Sequence, residues 1–305
     1  MPGEGRRVLV TGVRGLAGRA LAKQLTENGY VVFGTSRAER ASEPSQAPGL
    51  YQWRADDAQS TRRLIETARP EIVFHLSGLA RTFGPSLDDY RAANVAPTEE
   101  LLGALASADA PPVAIILASS AAVYAPPTDE KPLAETSPLR PGAPYGVSKL
   151  EMEARAEAFA GDLPITLARF FNFTGPGQSE DFVAARIVGE ISRGVRTLSL
   201  GATDRIREFN DVDAVATTLI RLANSATSGP VNIASGRGLS IDDLVAAAAD
   251  IINCSIAVET DPSRLRKDDP PVVIGACDIL QKAGAELVQP PIRDTLQRML
   301  IRNGA

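Results

Sequence analysis

The stretch YGVSK places Tyr145 and Lys149 four residues apart. On a helix that spacing sets both side chains on one face, about one turn from each other. A phenol can pass a proton to a carbonyl oxygen. A free tyrosine titrates near ~10, and a neighbouring ammonium favours its phenolate. A second pair, Ser119 and Ser120, ends the apolar run in LASSAAVY, residues 117–124. A hydroxyl at such a strand end can hold the same carbonyl oxygen. Ser120 is the candidate and Ser119 its competitor. Each pair alone would be unremarkable, helix decoration in one case and small filler in the other.

A third feature gives them a context. VLVTGVRGLAGRAL, residues 8–21, sets Gly12, Gly15 and Gly18 at a strand-to-helix junction, with Arg14 and Leu16 among them. Such a turn lets the backbone approach a pyrophosphate, whose charge then sits on the helix N-terminus. The spacing T-G-x-x-G-x-x-G, directly after the first strand of an alternating chain, reads as a dinucleotide site. The second strand closes on FGTSR, so Ser36 and Arg37 stand where an acid would take a ribose 2′-hydroxyl. A guanidinium pairs with a 2′-phosphate that a carboxylate would repel. NADP(H) is therefore expected, with NAD as the alternative. Asp56, after the third strand, could accept from adenine or cap the next helix. With a reduced nicotinamide as hydride source, Tyr145 would protonate the substrate oxygen.

These residues need a frame. Short apolar runs alternate with helix-like stretches through the first two-thirds of the chain: RVLVTG, YVVFGTS, EIVFHLSG, VAIILASS and ITLARFFN as strands, with helices between. Uniformly apolar strands between helices imply a parallel sheet covered on both faces. The fold class is a doubly wound α/β (Rossmann) sheet with a smaller C-terminal α/β lobe. Residues 1–171 and 207–234 are assigned to the dinucleotide-binding domain. The texture changes after Asn172, and 172–206 with 235–305 are assigned to the substrate lobe.

Composition excludes several classes. The 305 residues carry a net charge of −5, which gives a nucleic-acid partner no electrostatic support. No run is long enough for a membrane span, and the N-terminal apolar stretch is too short for a signal peptide. Two cysteines make no disulfide framework, so a reducing, cytoplasmic setting is expected. His75 is the only histidine, which argues against a metal centre or a histidine-based triad.

Glycine turn, serine pair and Tyr–Lys pair occur in that order, and in this conjunction the chain resembles the extended short-chain dehydrogenase/reductase family. The branch is the one acting on nucleotide-diphospho-sugars. TGVRGLAG, FHLSGLA, AANVAPT, SSAAVY, YGVSK, RFFNFTGPGQ and REFNDVDAV carry the resemblance over nearly the whole chain. It implies that residues 75–80 line the cofactor, through Leu76, Ser77 and Gly78, with His75 structural. It implies that Asn94, Ser119 and Phe171 also flank the cofactor, beside Tyr145 and Lys149. Asn172 would touch the sugar or its phosphates, and the chain would form a homodimer.

Three reactions are common on this scaffold: dehydration, C4 epimerisation and ketone reduction. The family's dehydratases carry an Asp–Glu pair after the active-site hydroxyl residue, where this chain has Ala121 and Ala122. Two alanines can neither protonate a leaving hydroxyl nor remove a carbon-bound proton. Segment 261–275, DPSRLRKDDPPVVIG, is similar to the GDP-mannose branch, whose reductases bind the nucleotide diphosphate with a basic residue there. Arg207 and Arg266 are the candidates for the two phosphates. Ala276, where that branch often has an acid, departs from the pattern. The expected activity is NADPH-dependent reduction of the 4-keto group of a nucleotide-diphospho-4-keto-6-deoxy sugar, of the GDP-4-dehydro-6-deoxy-mannose type. The alternative is an NAD-dependent C4 epimerase.

Overall fold

A computed structural model of the chain describes residues 3–36, 49–80, 84–265 and 269–302. Arg37 and Arg266 lie outside these residues. Seven strands form the main sheet: β1 (Arg7–Thr11), β2 (Val31–Ser36), β3 (Leu50–Gln52), β4 (Ile72–His75), β5 (Ala114–Ser120), β6 (Ile165–Phe170) and β7 (Gly229–Ile233). Their order is β3-β2-β1-β4-β5-β6-β7 and every pairing is parallel. The order reverses between β1 and β4, the switch point at which such sheets open a ligand crevice.

Both faces are buried, which is why the strands are apolar throughout. Alternate residues of each strand serve opposite cores. Val8, Val10, Phe74 and Ile116 pack against α1 (Leu16–Glu27) and α5 (Val212–Ala223) through Leu21, Leu25, Val215 and Leu219. Leu9, Val73, Ile115 and Leu117 face α2 (Ala58–Ala68), α3 (Ala96–Ala106) and α4 (Pro144–Glu157) through Leu64, Leu101, Leu105 and Met152. The return of the chain to the sheet as α5 and β7 agrees with the sequence reading.

A third cluster, with Ile187, Leu198, Phe209, Leu244 and Leu296 among its members, forms the core of the C-terminal lobe. Strand Ile206–Glu208 pairs with Gly238–Leu239 and Val272–Val273, so a small sheet joins residues on both sides of residue 207. Leu280, Ala285 and Leu287 pack into the core beside α1 and α5, so that part of the tail serves the main sheet. Glu208, 1% exposed, fastens the two parts. It accepts from the backbone N–H of Ser235 and of Gly275, each at 2.7 Å, and from Asn210 Nδ2 at 2.8 Å.

Phe74 is fully buried at the centre of β4. Phe74→Ala is expected to cost about 3–5 kcal/mol of stability. The check is a lower urea midpoint at unchanged slope.

Candidate active site

The glycine turn joins β1 to α1 at the switch point. Gly12 has φ +68°, and a Cβ there would lie 2.8 Å from the Ser77 backbone. Only glycine lets β1 end so close to the segment after β4. Gly15 caps α1 without any side-chain hydrogen bond, so the first N–H groups of α1 have no side-chain acceptor. Gly18 is buried inside α1, and Leu16 and Leu76 pack at the rim of the core beneath. Backbone donors at a helix start, a closely packed glycine turn and a crevice at the switch point fit a dinucleotide pyrophosphate.

A chain of hydrogen bonds ties this crevice to α4. Thr11 Oγ1 lies 2.8 Å from His75 Nδ1, and His75 Nε2 lies 3.0 Å from Thr98 Oγ1. Thr98 spends its hydroxyl proton on the Asn94 carbonyl at 2.7 Å, so it accepts from Nε2–H and leaves Nδ1 as acceptor. Burial, and then the Lys149 charge, lower the His75 pKa to about 3, so the ring is a neutral strut as expected. Asn94 sits in a π-turn, Arg91–Val95, that precedes α3. Its Oδ1 accepts from the Leu79 N–H at 2.8 Å, and its Nδ2 donates to Ser148 Oγ at 3.1 Å. Gly78 has φ +153°, and a Cβ there would stand 2.6 Å from Asn94 Oδ1 and 3.6 Å from Lys149 Nζ.

Tyr145, Lys149 and Ser120 meet at the C-terminal end of β5. The Tyr145 phenol stands beside Ser120, whose Oγ accepts from the Ala122 N–H at 3.1 Å. Lys149 is 5% exposed and donates to the Ala118 carbonyl at 2.7 Å. Burial lowers its pKa to about 8, while Glu153 pulls the other way. Burial raises the Tyr145 pKa, Ser120 opposes this, and Tyr90 adds to the rise. Burial outweighs the acidifying influences on the phenol, and the ammonium donates to the Ala118 carbonyl. Tyr145 is a neutral phenol, the form that donates a proton.

The serine choice resolves as well. Ser119 is buried, and its hydroxyl donates to Glu153 Oε1 at 2.5 Å on the α4 side of the sheet. Its side chain is not offered to the crevice. Phe171, expected beside the cofactor, is 3% exposed and packs with Val123, Tyr124, Leu133 and Ala234. Asp56 does not cap α2; Asp57 does, accepting from the Gln59 N–H, and exposed Asp56 lies 3.8 Å from Arg54. Ser36 is half-buried at the end of β2, as is Arg14 in the turn. In the lobe, Asn172 is exposed, and Arg207 donates to Asp269 at 2.7 Å and to the Pro270 carbonyl at 2.8 Å.

Three residues that the sequence reading passed over belong to this arrangement. Tyr90 packs its ring 5.7 Å from that of Tyr145. Glu153 and Arg169 form an ion pair, 5% and 2% exposed, with Arg169 Nη2 at 2.7 Å from Glu153 Oε2. An arginine inside the apolar strand ITLARFFN was the available signal, since a buried charge needs a partner.

The chain belongs to the NAD dependent epimerase/dehydratase family. The family pattern matches residues 8–234, which spans the sheet and every residue of the constellation. A family relative from Pseudomonas aeruginosa, GDP-6-deoxy-D-mannose reductase, is 31% identical over 68% of this chain and 71% of its own. GDP-6-deoxy-D-talose 4-dehydrogenase of Aggregatibacter actinomycetemcomitans is 25% identical over 96% of both chains. A crystal structure assigned as a candidate epimerase from Burkholderia cenocepacia J2315 is 34% identical, with a TM-score of 0.92 over 99% of both chains. MoeE5, solved with UDP-glucuronic acid and NAD, is 25% identical, with a TM-score of 0.84 over 97% of this chain and 98% of its own.

Among the described residues no helix is long and apolar enough to cross a membrane, and no three His, Cys, Asp or Glu cluster as metal ligands. One pH effect follows from His75. Its folded pKa lies below the unfolded value of 6.5, so the unfolded chain binds more protons between about pH 3 and 6.5. Stability should therefore fall on acidification below 6.5, by about 3 kcal/mol at pH 4 from this group. His75→Gln is expected to flatten that part of the pH–stability curve, measured by urea unfolding from pH 7 to 4.

Proposed function

We propose that this protein reduces the 4-keto group of a nucleotide-diphospho-4-keto-6-deoxy sugar with NADPH. The observation that carries the reading is the neutral Tyr145 phenol beside Ser120 and buried Lys149, with Ala121 and Ala122 following Ser120. That set can deliver one proton to a carbonyl oxygen. It holds no second acid–base pair after Ser120 for removing water. The names of the two relatives, a 6-deoxy-mannose reductase and a 6-deoxy-talose dehydrogenase, support redox chemistry at a deoxysugar nucleotide.

The nicotinamide, when bound, supplies the hydride. The backbone donors at the start of α1 and Gly12 would hold the pyrophosphate, and Ser36 with Arg37 would face the adenosine ribose. Ser120 orients the keto oxygen and Tyr145 gives it the proton. Lys149, as an ammonium, stabilises the phenolate that remains. Arg207 would exchange Asp269 for a phosphate oxygen of the substrate, and Asn172 would meet the sugar side. A C4 epimerase with tightly held NAD is the second reading, favoured by the 34% identical Burkholderia structure.

Incubation with NADPH and a GDP-linked 4-keto-6-deoxy sugar should consume nicotinamide absorbance stoichiometrically with ketone. NADH should be the poorer reductant. Tyr145→Phe should lower kcat by about 10²–10⁴-fold, the usual weight of a general acid, while still binding NADPH in a fluorescence titration. Stoichiometric NAD released from the purified protein, with interconversion of C4 epimers and no net reduction, would replace this reading by the second one.

The same reading includes a homodimer through the outer faces of α3 and α4. There Ala92, Val95, Ala96 and Ala154 line an open groove flanked by the Arg91–Glu151 and Arg155–Glu99 ion pairs. Light scattering is expected to give twice the mass of one chain. A monomeric mass at micromolar concentration would remove the dimer.

A further inference from the structure

Three consecutive residues of β5 each face a turn of α4. The Ala118 carbonyl accepts from Lys149, Ser119 donates to Glu153, and Ser120 stands beside Tyr145. Tyr145, Lys149 and Glu153 are spaced i, i+4, i+8, so they share one helix face. Behind them Arg169 closes a two-point bond on Glu153, Nε to Oε1 at 3.0 Å and Nη2 to Oε2 at 2.7 Å. Ser119, Arg169 and Asn232 stand in register across β5, β6 and β7. Arg169 Nη1 donates to Tyr124 Oη at 3.2 Å and to the Glu135 carbonyl at 3.0 Å, and Tyr124 donates to Asn232 Oδ1 at 2.6 Å. Every member of this buried row is satisfied, and it ends one helical turn from the lysine.

We infer that Glu153 is a positioning residue for the proton-transfer site. Its carboxylate fixes the end of β5 through Ser119 and supplies the negative charge that keeps buried Lys149 an ammonium. Arg169 is the counter-ion that lets that carboxylate stay ionised inside the protein. The inference deepens the function proposed above and rests on it for its catalytic meaning.

The surroundings of Lys149 leave this task to one group. His75, on β4, is a neutral ring. Asn94, before α3, is uncharged, and the Ala118 carbonyl on β5 is a dipole. On α4 itself, Tyr145 is a neutral phenol and Glu153 is the carboxylate. Arg169, on β6, is spent on Glu153. Burial works against the charged lysine, and among the described residues Glu153 is the one acting for it. An ammonium that lost its proton near neutral pH would leave the phenolate of Tyr145 without a partner.

The chain has five lysines, at 23, 131, 149, 267 and 282, so ¹³Cε-lysine NMR can follow each titration without any substrate. In the wild type, Lys149 should titrate near 8. Glu153→Gln should lower that midpoint by about one pH unit, the lower end of what a close opposite charge contributes. Glu153→Asp should restore most of the wild-type midpoint. Glu153→Gln strands Arg169 and can cost the fold, so Glu153→Gln/Arg169→Met keeps the fold while removing the carboxylate, and should show a downward shift of the same sign but smaller, because the opposing Arg169 charge goes as well. The high-pH arm of kcat in the ketone reduction should move down in parallel. An unmoved Lys149 midpoint in the folded Gln variants overturns the inference, as does an equal shift in Glu153→Asp. Failure of the reduction assay with a normal NMR shift instead rejects the proposed reaction and leaves the electrostatic role in place.

Discussion

Keeping a lysine charged in a place that water does not reach is the constraint on which this site depends. Burial opposes the ammonium, and the fold answers with one carbonyl at 2.7 Å and one carboxylate a helical turn away. That carboxylate is itself buried, so it needs an arginine, and the arginine needs acceptors for its remaining N–H groups. A single catalytic requirement thereby spreads across α4, β5, β6 and β7. The result is a polar row inside a sheet that is otherwise apolar on both faces, tolerable only because its members bond one another.

The two ends of the crevice are built by different means. At the cofactor end the backbone does the work, through a glycine turn whose first residue admits no Cβ and a helix start without a side-chain cap. At the Tyr145 end side chains line the crevice, with Lys149 held by the Ala118 carbonyl and Ser120 by the Ala122 N–H. Asn94 joins the two. Its amide pins the segment after β4 to α4 through Leu79 and Ser148, and the π-turn that carries it gives the helix the extra width to reach both. The Thr11–His75–Thr98 chain repeats the connection one layer deeper.

Much of this was legible in the sequence because it is local. The glycine turn, the Tyr–Lys spacing and the serine pair each lie within a few residues, and strand alternation orders them along one sheet edge. What escaped depends on register between strands. Nothing local to LASS tells that Ser119 faces Arg169 of β6, or that its hydroxyl is taken by Glu153 and so leaves the crevice to Ser120. Phe171 was assigned by motif position, but the packing of Val123, Tyr124 and Leu133 claims its ring. Asp56 and Asp57 are adjacent, and only the entry angle of α2 decides which caps it. The short strand Ile206–Glu208 was likewise not legible, since a three-residue strand reads as loop until its partners are known.

Reaction class and substrate identity are therefore written in different parts of the molecule. The sheet and α4 hold Lys149 and Glu153 with buried bonds, so little can change there without disturbing the row. The lobe presents its candidate contacts differently, with Asn172 exposed and Arg207 held to Asp269 at the edge of a short three-stranded sheet. Such contacts can be exchanged without disturbing the buried row. The family pattern follows the same division, since it matches residues 8–234 and stops where most of the lobe begins. The lobe contacts are residues that the buried network neither touches nor constrains.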